Sequence, residues 1–202
     1  DKLYQAIDVE KRLKTQCNHT ATHILQRALQ DVVGSHVSQA GSYVDDERLR
    51  FDFTHYEKLS DEVLNEIERR VNAEIFKGDR VDIEEMSMDE AKQKGAMALF
   101  TEKYGSVVRV VSVGDYSVEL CGGCHVQSSS DIGLFRIVSE ESIGSGIRRI
   151  EAVTGMQAYQ SFKDTEQLLT NCQTTLKAGN VKQIGEKLTA LLEEVSLLRK
   201  EN

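Results

Sequence analysis

Two short patterns in this chain have the residue types and spacing to bind a metal ion. The first is His19-Thr20-Ala21-Thr22-His23. On a helix, positions i and i+4 lie one above the other, so both imidazoles can reach a single ion. The second is Cys121-Gly122-Gly123-Cys124-His125. Its glycines let the backbone turn so that Cys121 and His125 face one point. One thiolate with three imidazoles suits tetrahedral zinc. Each pattern alone is weak, because paired histidines are often structural and a glycine turn can carry incidental thiols. Together they predict a metal site of His19, His23, Cys121 and His125. The metalloprotease pattern requires Glu after the first His, where this chain has Thr20, so the general base of that class is missing. Cys124 leaves open whether a second thiol joins the metal or competes for it.

The elements that must position these residues follow from periodicity. Ala21, Ile24, Leu25, Ala28, Leu29 and Val32 share one helical face. Asn18 is the expected N-cap of that helix, residues 1–17 a lead-in, and Gly34 the terminator. His19 and His23 lie roughly opposite the apolar stripe, which predicts an accessible site beside a cleft. Arg48–Phe53 alternates as a strand. Ser60 caps a second helix ended by Gly78, and Ser87 with Glu90 forms a capping box for a short third one stopped at Gly95. Strands are expected at 107–113 and 116–120, joined by Gly114-Asp115 as a two-residue turn, and at 134–138 and 147–153. Glu119 alternates with Cys121, so it is either a partner of a ligand histidine or a surface charge. His36 and His55 read as structural. Beyond Gly155, two helices carry apolar residues at alternating spacings of three and four. They form either a hairpin with a coiled-coil seam or two amphipathic helices packed on the preceding domain. The expected fold is α+β, an antiparallel sheet packed with helices around a metal site over 1–155, then a C-terminal helical hairpin over 156–202.

Composition narrows the function classes. The net charge of −8 does not advertise nucleic-acid binding, so a polyanion must be met by a local basic patch. Four cysteines in 202 residues do not make a disulfide framework, which suits reduced thiols and a cytoplasmic location. No apolar run is long enough to span a bilayer, so no membrane partner is expected. The charged ends and the absence of an initiator Met predict a piece of a longer protein.

Several segments in order resemble the editing domain of the alanyl-tRNA synthetase family. They are Asn18–His23, His36–Ser42, Arg48–Phe53, Gly95–Phe100, Glu102–Gly105, Glu119–Gly123 and Gly146–Ala152. The resemblance covers about residues 5 to 158, and the tail resembles the start of the family's C-terminal region. It departs at Cys124, where the family usually has Thr, and at Thr101, where it usually has Gly. The resemblance implies zinc-dependent hydrolysis of tRNA(Ala) mischarged with serine or glycine, with one zinc per chain. ATP would serve only an aminoacylation domain outside this chain. The implied partner is the acceptor end of tRNA(Ala), with the C-terminal helices available for a homodimer. An alanine pocket cannot exclude the smaller glycine and discriminates only modestly against serine, so a second, hydrolytic site meets a physical need. The metal either generates hydroxide or positions the substrate, and a full set of four protein ligands favours positioning. Gln39 and Ser42 are candidates to contact the aminoacyl group. Arg148 and Arg149 point to opposite faces of a strand, so one is expected at the acceptor phosphates and the other in an ion pair. Lys103 is a further tRNA candidate and Arg109 a weaker one. The alternatives are a freestanding editing protein of the same superfamily, a module acting on threonyl-tRNA, and a non-catalytic zinc module binding tRNA or a protein.

Overall fold

A computed structural model describes residues 3–97 and 105–201. Thr101, Lys103 and the Ala98–Phe100 part of the motif lie outside the described residues. The chain divides into two compact units, Asp1–Ala158 and Tyr159–Asn202.

The first helix, α1, runs Val9–Val32 and starts well before Asn18. Asp8 is its N-cap, accepting from the Lys11 N–H at 3.0 Å. The intervening Val9–Gln16 stretch is rich in good helix formers, which carries the helix outward. Asn18 is instead buried in mid-helix. Its amide donates to the Asp45 carbonyl at 2.9 Å and accepts from the Thr154 hydroxyl at 2.7 Å.

Strands β1 (Gln39–Val44), β2 (Leu49–Thr54), β6 (Phe135–Gly144) and β7 (Ile147–Thr154) form an antiparallel sheet in the order β1-β2-β7-β6. Strands β3 (Val81–Ser87), β4 (Val107–Val113) and β5 (Ser117–Leu120) form a second, three-stranded antiparallel sheet. Helix α2 (Asp61–Lys77) is capped by Ser60 and closed by Gly78 in the left-handed conformation, φ 70°. The short α3 (Met88–Gln93) has the expected Ser87/Glu90 capping box. Replacing Ser60 by Ala is expected to lower stability by about 1 kcal/mol, read as a shift in urea midpoint, because one orphan helix N–H loses its acceptor.

One core holds the first unit together. Ile24, Leu25 and Leu29 of α1 meet Phe51 and Phe53 of β2, Ile67 and Ile75 of α2, and Ile150 of β7. Strand β4 is buried on both faces, which explains its nearly continuous run of valines. Val111 and Val113 join the main core, while Val108 and Val110 pack with Ala91 and Leu120 in a smaller cluster.

The second unit holds most of α4 (Gly155–Thr175) and α5 (Ile184–Glu201). Leu169, Leu188, Leu191 and Val195 of the apolar seam are each more than a third exposed, at 40, 46, 46 and 37%. No helix among the described residues is long and apolar enough to cross a membrane.

Candidate metal centre

The two halves of the predicted site come together. Ligand atoms of His19, His23, Cys121 and His125 all lie within 4.8 Å of one another. Cys121 Sγ is 3.5 Å from His19 Nε2 and 3.3 Å from His125 Nε2. In a tetrahedron with metal–nitrogen bonds of about 2.0 Å and metal–sulfur bonds of about 2.3 Å, ligand atoms stand roughly 3.3–3.7 Å apart. Both separations from Cys121 match that spacing. The group therefore fits a metal ion in donor chemistry, and in size at the two separations from Cys121. Cys124 is not part of it.

Burial corrects one expectation. The histidine face of α1 is not open, because β5 and the Cys121–His125 turn cover it. His23 is 3% and His125 5% exposed, while His19 and Cys121 are half-buried. Among the described residues, the site is most open on the His19/Cys121 side. A cleft of about 650 Å³, lined by Leu13, Cys17, Val81, Ile83 and Val126, reaches His125 from another side.

Burial also sets the protonation states. It pushes His23 down to about 3, with His19 nearby adding to the drop. It pushes His125 down to about 2, helped by His23, His19 and Arg109. His19 is lowered too, chiefly by burial, against the Cys124 carbonyl that accepts from its ring. All three imidazoles are thus neutral near pH 7, as a ligand must be. The Cys121 thiol is raised, first by burial. Glu119 is also buried and is pushed up to about 8. Its Oε2 lies 3.3 Å from His23 Nδ1, too poorly aligned to complete a hydrogen bond, and its Oε1 accepts from Ser117 Oγ at 3.1 Å. Of the two expectations for Glu119, the partner of a ligand histidine is the one that agrees with this burial.

The turn that presents Cys121 is held by Arg109. Its Nη1 donates to the carbonyls of Cys121 and Gly123, both at 2.7 Å. The cross-strand register sets Val111 opposite Glu119, which places Arg109 opposite Cys121. The sequence offered Arg109 only as a weak phosphate contact. The signal that finds it is the hairpin register, and the expected two-residue turn gave that register one residue out. The turn is Gly114–Tyr116, because Val113 pairs with Ser117. Tyr116 leaves the ladder and sends its hydroxyl to Asp31 on α1 at 3.0 Å.

Residues 52% identical over the full 202 belong to an alanine-tRNA ligase of Halalkalibacterium halodurans. An alanine-tRNA ligase of Lysinibacillus sphaericus is 59% identical over 92% of the chain, and one of Lactococcus lactis is 53% identical over 97%. The family described as "Threonyl and Alanyl tRNA synthetase second additional domain" matches residues 108–151. The chain belongs to the alanyl-tRNA synthetase family. It spans between 20 and 23% of the length of these three relatives.

Of the remaining candidates in this synthetase segment, Gln39, Ser42, Arg148 and Arg149 lie on the larger sheet. Gln39 Nε2 donates to Ser42 Oγ at 3.1 Å. Residues three apart on a regular strand face opposite ways, but β1 has a bulge between Gln39 and Gly41, which brings the two side chains together. Among the described residues, neither is hydrogen-bonded to the four metal-site residues. Arg148 is on the buried face of β7 and is paired with both carboxylate oxygens of Glu140. Arg149 forms a two-point ion pair with Asp52, at 2.7 and 2.9 Å. The expected ion pair is thus present, and it is made by both arginines rather than by one. His36 and His55 stay outside the metal group and contact each other, His36 Nε2 to His55 Nδ1 at 3.0 Å.

Proposed function

We propose that this chain is the proofreading part of an alanyl-tRNA synthetase, hydrolysing the ester of Ser-tRNA(Ala) and Gly-tRNA(Ala) with one zinc ion held by His19, His23, Cys121 and His125. The observation that carries the reading is the convergence of these four ligand atoms within 4.8 Å in a chain more than 50% identical to alanine-tRNA ligases. Bound there, zinc would supply positive charge for fixing the substrate's amino group or terminal ribose, or for acidifying a water. The chain's own residues supply the rest. Arg109 holds the turn on which Cys121 sits. Glu119 faces the ring of His23 from behind. Gln39 and Ser42, joined by their hydrogen bond, present an amide and a hydroxyl to the aminoacyl group. Arg149, more open than Arg148, is the candidate for the acceptor-end phosphates, in exchange for part of its pairing with Asp52, and Lys103 is a further one. The positioning role is favoured because four protein ligands fill a tetrahedral set.

In this reading residues 1–155 carry the deacylase and 156–202 begin a C-terminal helical region. The exposed apolar seam there is available for a homodimer contact. ATP belongs to the aminoacylation part, and the whole acts in the cytoplasm. The match to whole ligases, each several times longer than this chain, favours editing within a synthetase over a freestanding protein.

Zinc-loaded protein is expected to release serine from Ser-tRNA(Ala) while leaving Ala-tRNA(Ala) charged, and to fall to the uncatalysed rate after chelation or in Cys121→Ala. Serine that stays esterified with fully zinc-loaded protein would sink the catalytic reading. Stoichiometric zinc without turnover would instead support the non-catalytic module.

A further inference from the structure

The hydroxyl of Thr20 is fully buried between the two halves of the metal centre and has three polar neighbours. It lies 2.9 Å from the Gln16 carbonyl, 3.1 Å from His125 Nδ1 and 3.2 Å from the Val126 N–H. A threonine hydroxyl has one proton to donate and two lone pairs to accept with. The Gln16 carbonyl can only accept, and two oxygens 2.9 Å apart without a proton between them repel. The hydroxyl proton therefore goes to Gln16. The Val126 N–H can only donate, and takes one lone pair of Oγ1. The second lone pair remains for His125, whose Nδ1 must then carry its proton.

We propose that Thr20 is a positioning residue of the metal centre: its hydroxyl, oriented by the Gln16 carbonyl, locks His125 in the Nδ1–H tautomer and so leaves the Nε2 lone pair to bind the metal. The heavy-atom geometry agrees from the other side of the ring, because Nε2 is the nitrogen that faces Cys121 Sγ at 3.3 Å. The same residue ties the two halves together. Thr20 follows the first ligand of the helical pair, while His125 and Val126 end the glycine turn. Its consequence for metal affinity rests on the metal reading above, whereas the tautomer rests on this chain's own atoms.

Long-range proton–nitrogen NMR on histidine-labelled, chelator-treated protein at pH 8 reads the tautomer directly. Native His125 is expected as Nδ1–H, and Thr20→Val is expected to shift it toward Nε2–H. Zinc affinity by competition is expected to fall about 10–100-fold in Thr20→Val, the usual cost of losing a hydrogen-bond partner behind a ligand histidine. Thr20→Ser, which keeps the hydroxyl, is expected to restore the native tautomer and bring affinity back to within a few-fold. A merely structural threonine would alter the melting temperature without moving the tautomer. Native His125 found as Nε2–H overturns the proposal, and so does native zinc affinity in Thr20→Val. If native protein binds no zinc, the metal reading fails by itself and the tautomer spectra still decide the role of Thr20. If Thr20→Val does not fold, the native and Thr20→Ser spectra decide it.

Discussion

Adding one methyl group at Gly123 is expected to weaken zinc binding by about two orders of magnitude while leaving the fold intact. A Cβ built on Gly123 would sit 1.9 Å from His19 Cε1 and 2.3 Å from His19 Nδ1. No real contact is that short, so either the turn or the ring must move. The turn is pinned by Arg109, whose guanidinium holds the carbonyls on both sides of Gly122 at 2.7 Å. The ring is the far end of a rotatable side chain, and it is half-buried on the open side of the site. In Gly123→Ala the ring therefore swings out and the metal loses one ligand of four. Four-ligand zinc sites bind with roughly 10–16 kcal/mol, so equal sharing assigns about 3 kcal/mol, or ~10²-fold, to each ligand. Gly122→Ala is the control. Nothing lies within 4 Å of a Cβ there, so its affinity is expected to match the native protein. Zinc competition titrations on both variants, with thermal melts of the chelated forms, check the pair. Native-like affinity in Gly123→Ala would show that His19 is not a ligand. A large loss of chelated stability would show that the glycine serves the turn and not the ring.

The contrast between the two glycines marks where the sequence stops being informative. The ligands themselves were legible, because i, i+4 on a helix and a Cys–Gly–Gly–Cys–His turn are local patterns whose geometry follows from spacing. The helix caps at Ser60 and Ser87 were legible for the same reason. What surrounds the ligands depends on pairing between distant segments. A turn read as two residues is three, and that single step decides whether Arg109 or its neighbour stands opposite Cys121, since a one-residue slip exchanges the two faces of a strand. The bulge in β1 has a similar effect on Gln39 and Ser42, which alternation alone would have pointed apart. Strand β3 was not anticipated. Its sequence, Val-Asp-Ile-Glu-Glu-Met-Ser, is largely solvent-facing and becomes a strand by pairing with β4. The histidine face of α1 looked exposed because the apolar stripe lay opposite, yet a central helix can be covered on both sides. Thr20 carries no sequence signal for its contact with His125, which lies 105 positions away.

The chelated protein is expected to be most stable near pH 6.5 and to weaken on both sides of it. His23 and His125 are held at about 3 and about 2 in the folded state, against 6.5 when exposed. Below pH 6.5 the unfolded chain takes up protons that the folded chain refuses. Stability from these groups is therefore complete above 6.5 and is lost as pH falls toward 3. Glu119 acts in the opposite sense. Its carboxyl is raised from 4.5 to about 8, so between those values the folded chain keeps a proton that the unfolded chain has released. Its contribution is complete below 4.5 and is lost as pH rises through 8. Between pH 5 and 6.5 the balance is two histidine protons against one, and the lowered His19 adds to the histidine side. Stability therefore rises with pH across this range, most steeply at its acid end. Above 6.5 the histidine contribution levels off and Glu119 comes to dominate, so stability falls toward pH 8. Urea midpoints at pH 5, 6.5 and 8 read both limbs. A steady rise from 5 to 8 would mean that Glu119 is already ionised in the folded, metal-free protein. Zinc is expected to remove the alkaline limb, since a cation on the imidazole of His23 makes Nδ1–H a stronger donor and favours the carboxylate behind it. Loss of that limb on adding zinc would link Glu119 to the metal through His23, whereas a limb unchanged by zinc would leave Glu119 a buried acid with no part in the site.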